Sequence, residues 1–422
     1  MVFDFFRLER WKSISLMEFG FLWSVLFAVW GPVPRYLGWL IALIGLFLEC
    51  IRGHGKGSSL HPKVQFLLIF LLVWGVFPSY FRKPDFYSFI KGYSLVLEFA
   101  FSLWLSARLF GEEAFQRFWV VLVMTVFVVI IQSLYAFFFE NNFSGLFSNI
   151  NTLGLYGVIL LPFFISRAFE KGKVLFWIGS AGVLFLICLS SSSGAWLTGA
   201  ACLFFLTLLG GKKYFAKIFF LFLLFVTMFA AVWGVLEKTD PELKRQFANY
   251  MKREYQQLTA FDNPSKLTTY RSFLWKGALH LIKVHPLAGW GWGSFNSPFE
   301  QVNKSWWNEK QTRISLKYVD DAHNMYFNLS IYGGIPSMIA VVVIFLFTAY
   351  RAFFFSRQNP ERRWFWVAAS ACILSLLVYS FGGDVFSIRY RFACIFWYFM
   401  GFAGRAAEKS SVTGVNPIES IS

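Results

Sequence analysis

The sequence predicts an all-helical, polytopic membrane protein of about twelve spans with one large helical loop on the extracytoplasmic side, and three observations carry that prediction. Hydrophobic residues make up 57% of the 422 and charged residues only 15%, against about one quarter charged in ordinary soluble domains. Apolar runs long enough for a ~30 Å hydrocarbon core recur along the chain. Lys and Arg concentrate on alternate connections, as the positive-inside rule requires.

The runs fall at about residues 13–30, 36–51, 64–80, 88–107, 118–138, 152–168, 174–189, 195–210, 215–235, 325–350, 364–381 and 392–404. The first follows Arg7, Arg10 and Lys12 like a signal peptide, but no small-residue cleavage site follows it, so it is read as a retained span. With the N-terminus inside, the inner connections hold Arg52, Lys56 and Lys63, then Arg108 and Arg117, Arg167, Lys171 and Lys173, and Lys212, Lys213 and Lys217. Arg351, Arg357, Arg362, Arg363, Arg405 and Lys409 complete that side, while the short outer turns hold only Arg35, Arg82, Lys83, Lys91, Arg389 and Arg391.

Both termini are therefore expected in the cytoplasm. The chain divides into a scaffold of about nine spans (1–236), an outer loop domain (237–323), and three last spans with a tail (324–422). The +16 net charge is then an orientation signal, which argues against a nucleic-acid partner. All five cysteines (Cys50, Cys188, Cys202, Cys372 and Cys394) lie in spans. With neither CxxC pairs nor His/Cys metal spacing, no disulfide, metal or cofactor is expected.

In chain order, residues 1–140 read as five spans, with Pro32, Pro34, Pro62, Pro78 and Pro84 at loop edges and Trp23, Trp30, Tyr36, Trp39, Trp74 and Tyr80 forming an interfacial belt. The next outer turn is rich in side-chain amides. Its Asn151 is expected to cap the following helix or to hold a sugar. Ser190 to Ser193 would cap the helix after them or offer donors to a phosphate at its N-terminus.

Within the long loop, Leu243, Phe247, Tyr250, Met251, Tyr255 and Leu258 recur at helical spacing over Pro241–Leu258, with Lys244, Arg245, Lys252 and Arg253 on other faces. Such a helix lies in the interface plane. A second helix is expected from Ser265 to Val284, with Leu267, Tyr270, Leu274, Leu281 and Ile282 as its apolar stripe and Arg271 inside it. Gly289-Trp-Gly-Trp-Gly293 follows, either a tight turn flanked by interfacial tryptophans or a run whose Gly291 and Gly293 amides face an anion. Its spacing is not that of a nucleotide loop.

The loop closes on Asp320-Asp321-Ala322-His323-Asn324. His323 stands at the mouth of a span beside two carboxylates, so Asp320 or Asp321 would hold its imidazole. The span after it carries Gly333, Gly334 and Pro336, which should break or bend it. The last outer turn places Asp384 near Arg389 and Arg391, which either pair with that acid or meet an anionic headgroup.

Arg271-x3-Trp275, His285-Pro-Leu-x-Gly289-x-Gly-x-Gly-x-Phe295, His323-Asn324 and Gly334-Ile-Pro together resemble the signature of the O-antigen ligase and polymerase superfamily. Asn149-Ile-Asn151-Thr-Leu-Gly and the Ser-rich turn at 190–197 match its weaker upstream patches. The resemblance spans the whole layout and implies a metal-independent glycosyltransferase of the bacterial inner membrane, its site facing the periplasm. Its implied partners are an undecaprenyl-pyrophosphate-linked glycan donor and a lipid A-core acceptor. His323 and Arg271 map to the family's functional histidine and arginine. Asn324, Asp320, Asp321, Arg389, Arg391, Asn151, Gly291 and Gly293 are the expected substrate-side residues.

Two positions depart from the family. Gly194 stands where an arginine usually follows the serines, so the missing phosphate contact is expected from Arg389, Arg391, Arg82 or Arg35; Ser337 replaces the more usual Gly, Thr or Tyr. Motif order and loop size favour the ligase branch over a polymerase joining lipid-linked repeats. A lipid-linked-sugar transporter is the third reading. It would require internal repeats and mid-membrane ionisable groups, and Glu49 and Glu98 are the only carboxylates near span interiors.

Overall fold

The computed structural model describes residues 11, 14–52, 59–82, 85–140, 142–147, 149–172, 174–260, 268, 271–308, 315–316, 319–386 and 392–405. Among these, every helix or strand element is a helix. The scaffold comprises α1 (Leu16–Leu26), α2 (Pro32–Ile51), α3 (Pro62–Arg82), α4 (Phe86–Leu109), α5 (Glu112–Glu140), α6 (Ile150–Lys171), α7 (Val174–Leu189), α8 (Ser193–Gly210) and α9 (Lys212–Thr239). The loop carries α10 (Pro241–Leu258), α11 (Arg271–Val284) and α12 (Asn296–Asn303). The chain then forms α13 (Met325–Gln358), α14 (Arg363–Tyr379) and α15 (Ala393–Gly404).

Each of the twelve apolar runs coincides with a helix. Among the described residues, seven helices suffice by length and composition to cross a membrane: α2, α3, α4, α5, α6, α8 and α13. The helices at Leu16–Leu26, Val174–Leu189, Tyr214–Leu223 and Ala393–Gly404 are shorter apolar pieces. The first is short because the chain leaves the helix for a turn at 27–30.

Small residues let the outer helices approach. A Cβ on Gly20 would sit 2.4 Å from the Ala42 nitrogen, and one on Gly45 would sit 2.3 Å from the Met17 nitrogen, which is the close packing expected when lipid supplies no hydrophobic drive between helices. Buried charges are paired. Arg117 donates to both Glu18 oxygens at 2.6 and 3.0 Å, joining α5 to α1. Arg35 and Tyr36 donate to Glu98 at 3.1 and 2.5 Å, joining α2 to α4. Glu49 lies 3.7 Å from Arg108. Glu98 and Glu49, and Glu18, which was not singled out from sequence, thus serve as ties between helices.

Helix α10 has the predicted bounds. Asp240 caps it by accepting from the Leu243 amide at 2.9 Å, and Pro241 sits where no intrahelical N–H is needed. Leu243 and Phe247 are buried, the latter against Phe137, Phe143, Phe229 and Trp233. Tyr250 and Tyr255 of the predicted stripe are instead exposed, Tyr250 with its ring against Phe143. Among the described residues the second loop helix runs Arg271–Val284; Ser265, Leu267 and Tyr270 lie outside the described residues. Its buried Leu274, Ala278 and Leu281 build a small separate core with Phe295, Phe299, Val319, Ala322 and Ile331.

Helix α13 is broken where Gly334 adopts φ 77°, ψ 172°, as the Gly-Gly-x-Pro sequence predicts. A break in a span frees carbonyls that must find donors, and the glycine-rich loop supplies them. Trp290 N–H donates to Ile331 O at 2.6 Å and Gly291 N–H to Tyr332 O at 2.9 Å, while Ile335 N–H returns to Pro286 O at 2.8 Å. Trp74 Nε1 donates to Gly333 O at 2.8 Å. The same loop wedges between α3 and α4, with Trp292 N–H on the Ser79 hydroxyl at 2.9 Å. Gly293 has φ 82°, and a Cβ there would lie 1.9 Å from Ser88 O.

Candidate active site

His323 sits two residues before α13 with φ 48°, a left-handed conformation that costs a non-glycine residue about 1–2 kcal/mol. Its neighbours hold it there. One Asp321 oxygen accepts from the His323 backbone N–H at 2.6 Å and lies 2.9 Å from the ring Nδ1. Of the two candidate carboxylates, it is therefore Asp321 that grips the imidazole; Asp320 is exposed. With Nδ1–H assigned to the carboxylate by this geometry, Nε2 keeps its lone pair and is the ring's basic atom.

The preceding amide, Ala322 N–H, donates to Asn328 Oδ1 at 2.9 Å, and Trp275 Nε1 of α11 donates to Ala322 O at 3.1 Å. Asn324 spends both ends of its side chain on structure. Its oxygen caps α13 through Phe327 N–H at 3.1 Å, and its Nδ2 donates to Phe381 O at 3.0 Å. As a buried cap it is a support of the site rather than a surface a sugar would meet.

Arg271 reaches the same place from the start of α11. Its Nη1 donates to Gly382 O, in the turn whose Ser380 and Gly383 carbonyls accept Met325 N–H at 3.1 and 3.0 Å. The turn 380–383 thus binds both the Arg271 guanidinium and the backbone just after His323. Four residues along α11, Trp275 lies on the same helix face, so one face of that helix spans the pair.

Asp384 closes the arrangement. It is buried and accepts from Asn328 Nδ2 at 2.6 Å and from Phe386 N–H at 2.8 Å. Burial pushes its carboxyl up to about 6, and the Asp321 charge adds to the rise; the Asn328 and Phe386 hydrogen bonds and His323 oppose it. Arg389 and Arg391 lie outside the described residues.

The remaining expectations divide. Asn149, not Asn151, caps α6, accepting from Asn151 N–H at 2.8 Å, because Asn149 has the extended backbone a cap needs. Asn151 accepts instead from the Ser192 hydroxyl at 2.7 Å, tying the amide-rich turn to the serine turn. Ser192 caps α8, with Ala195 N–H at 3.4 Å. The phosphate expected at that helix start meets a resident anion: Glu254 of α10 accepts from Ser193 N–H at 3.0 Å. The anion cradle expected of Gly291 is corrected too, since its amide is committed to the α13 break.

Of the substitute arginines, Arg35 is buried against Glu98. Arg82 contacts His285 Nδ1 at 3.0 Å, beyond the far end of α11 and about 20 Å along the helix from Arg271 at 1.5 Å per residue. Gly194 nevertheless belongs to this end of the bundle: a Cβ there would lie 3.7 Å from the ring of Tyr379, the residue before the 380–383 turn. Among the described residues no three His, Cys, Asp or Glu side chains gather as a metal site.

Asn328, Glu254 and the 380–383 carbonyls were not singled out from sequence. An asparagine in an otherwise apolar span was the available signal for Asn328; carbonyl positions leave none.

The family model described as O-Antigen ligase matches residues 178–342, which include Arg271, His323 and the Gly334 break and stop before Asp384. No curated protein matches the sequence.

Proposed function

We propose, from the premise that residues 178–342 place this chain in the O-antigen ligase superfamily, that it transfers a glycan from undecaprenyl pyrophosphate to a sugar hydroxyl of lipid A-core. The reaction faces the periplasm, at the end of the bundle where the 237–323 loop attaches. The observation that carries this reading is His323 held through Nδ1 by Asp321 while Arg271 binds the adjoining turn.

A lipid pyrophosphate is a good leaving group, so the transfer needs a cation for its growing charge and a base for the incoming hydroxyl. The Arg271 guanidinium has five N–H donors in a planar fork; one holds Gly382 O and the fork's other donors receive the pyrophosphate oxygens. His323 Nε2 takes the acceptor proton as the new C1–O bond forms and the C1–O bond to pyrophosphate breaks. Asp321 stabilises the resulting imidazolium without taking its proton. A single displacement inverts the anomeric centre.

The pairing of Glu98 and Glu49 into bundle ties supports an enzyme over a transporter, since neither is left as an intramembrane proton or ion site. The test is transfer by purified protein from a lipid-linked donor to delipidated core acceptor. His323→Ala should abolish transfer while the protein stays folded and inserted, and one added chain is expected per acceptor. Full activity in His323→Ala would remove the histidine from the mechanism, and a ladder of products would assign a polymerase.

A further inference from the structure

We propose that Asn328 and Asp384 form a hydrogen-bond relay that sets the His323 backbone, and that both are positioning residues for transfer. The proposal rests on the reading of His323 as the base.

A left-handed histidine persists only where its surroundings over-determine it, and Asp321 alone does not achieve that, being only two residues away in a chain that could turn as one piece. The fixed reference must come from outside the loop, and Asn328 supplies it. It stands in the first turns of α13, nine-tenths or more buried, with its oxygen on Ala322 N–H at 2.9 Å. Ala322 N–H belongs to the peptide between Asp321 and Ala322, so this bond fixes the plane one residue ahead of the strained position, the plane that joins the holding carboxylate's residue to the next.

An asparagine amide can flip, and a flipped Asn328 would present NH2 to the Ala322 N–H and repel it. The Asp384 carboxylate forbids that. It accepts from Asn328 Nδ2 at 2.6 Å, so the nitrogen must point to Asp384 and the oxygen to Ala322. Asp384 is fixed in its turn by Phe386 N–H at 2.8 Å. The relay therefore runs from the 384–386 turn, through a helix side chain, to the backbone one residue ahead of the proposed base. The burial that raises the Asp384 carboxyl, and the charges of Asp321 and His323 that act on it, agree with its standing against this pair.

The consequence is mechanistic. A base must lie within about 2.6–3.2 Å of the proton it abstracts, and a small misplacement of a catalytic group costs about 10²-fold. Rotation of the Asp321–Ala322 peptide would shift the Asp321 carboxylate and swing Nε2 away from the acceptor without touching Arg271, so donor binding should survive when turnover does not.

Exchange of the two side chains tests this. In Asn328→Asp two carboxylates face each other, and in Asp384→Asn two amides do, so either variant breaks the relay. In the double variant N328D/D384N, the new carboxylate at 328 accepts from Ala322 N–H and from the new amide at 384, whose oxygen still accepts from Phe386 N–H. Every hydrogen bond is restored with the charge moved to the other partner. We expect each single variant to lose about 10- to 100-fold in kcat with the donor KM unchanged, and the double variant to recover to within about fivefold of the parent.

Single variants that keep parental kcat would overturn the relay, as would a folded double variant no better than the worse single one. Should Asn328→Asp fail to fold, Asp384→Asn carries the test, since a neutral side chain suits that buried position, and an equal change in kcat and donor KM would count against positioning. His323→Ala run beside them separates the two readings. A dead His323→Ala with fully active relay variants sinks the relay alone, whereas an active His323→Ala sinks the assignment of the base.

Discussion

Replacing Asp321 by Asn isolates the charge that grips His323 while keeping the shape of the side chain. In the parent one carboxylate oxygen serves the backbone N–H at 2.6 Å and the ring Nδ1 at 2.9 Å. A hydrogen bond to a charged group is worth about 1.5–3 kcal/mol against about 1 for a neutral one, so the amide forfeits about 1–2 kcal/mol in each. The ring bond becomes a full ion pair as His323 takes the proton, which puts its loss on the transition state. The His323 side chain is 38% exposed and that of Asp321 12%, so water screens part of the charge. About 1–2 kcal/mol remains for the ring bond, or roughly 5- to 30-fold in kcat.

Donor KM should hold, because Arg271 is anchored on Gly382 and not on Asp321. The assay is single-turnover transfer by purified protein with saturating lipid-linked donor, run beside Asp320→Asn, for which a change of no more than about threefold is expected from an exposed side chain. Parental turnover in Asp321→Asn, or a heavier loss in Asp320→Asn, would refute the assignment of the holding carboxylate.

Three further predictions concern the frame. Gly293→Ala places a Cβ 1.9 Å from Ser88 O at φ 82° and should cost more than about 3 kcal/mol, seen as a fall of several degrees in Tm in detergent; an unchanged Tm would mean the loop does not wedge between α3 and α4. Arg35→Met alone strands Glu98 and should destabilise by about 3–5 kcal/mol, whereas the double variant R35M/E98L should fold and transfer at the parental rate; a folded but inactive double variant would return Arg35 to the donor site. The Asp384 carboxyl is raised from 3.8 to about 6 by burial, so its contribution to stability is full below about pH 4 and is lost as pH rises through about 6. That gap corresponds to roughly 3 kcal/mol, and Tm measured from pH 4 to 8 should fall across it in the parent and stay flatter in Asp384→Asn; equal slopes would place Asp384 in water.

Much of the frame was legible because membrane spans are written in local composition. Twelve apolar runs became helices at nearly the predicted bounds, and α10 was recovered from periodicity and an Asp-Pro start. The break in α13 was also visible, since Gly334 and Pro336 announce it locally. The glycine-rich loop left a tight turn and an anion cradle both open, because its alternating pattern reports backbone freedom without saying what the freed amides face. The Trp290 and Gly291 amides face the Ile331 and Tyr332 carbonyls of a helix some forty residues away, where a packed partner satisfies them. Asn151 was misjudged by two positions, because two asparagines in one turn are equivalent as sequence and only the extended backbone of Asn149 makes the cap.

The order of residues was enough to establish the membrane class, the helices and a histidine beside two acids at a loop's end, because each depends on neighbours within a few positions. Which acid holds the imidazole, that Arg271 and the His323 loop share the turn at 380–383, and that Arg35 is sequestered by Glu98 were decided only by packing. Those choices depend on which buried donors find acceptors across distant segments, a global constraint that no local stretch of sequence carries.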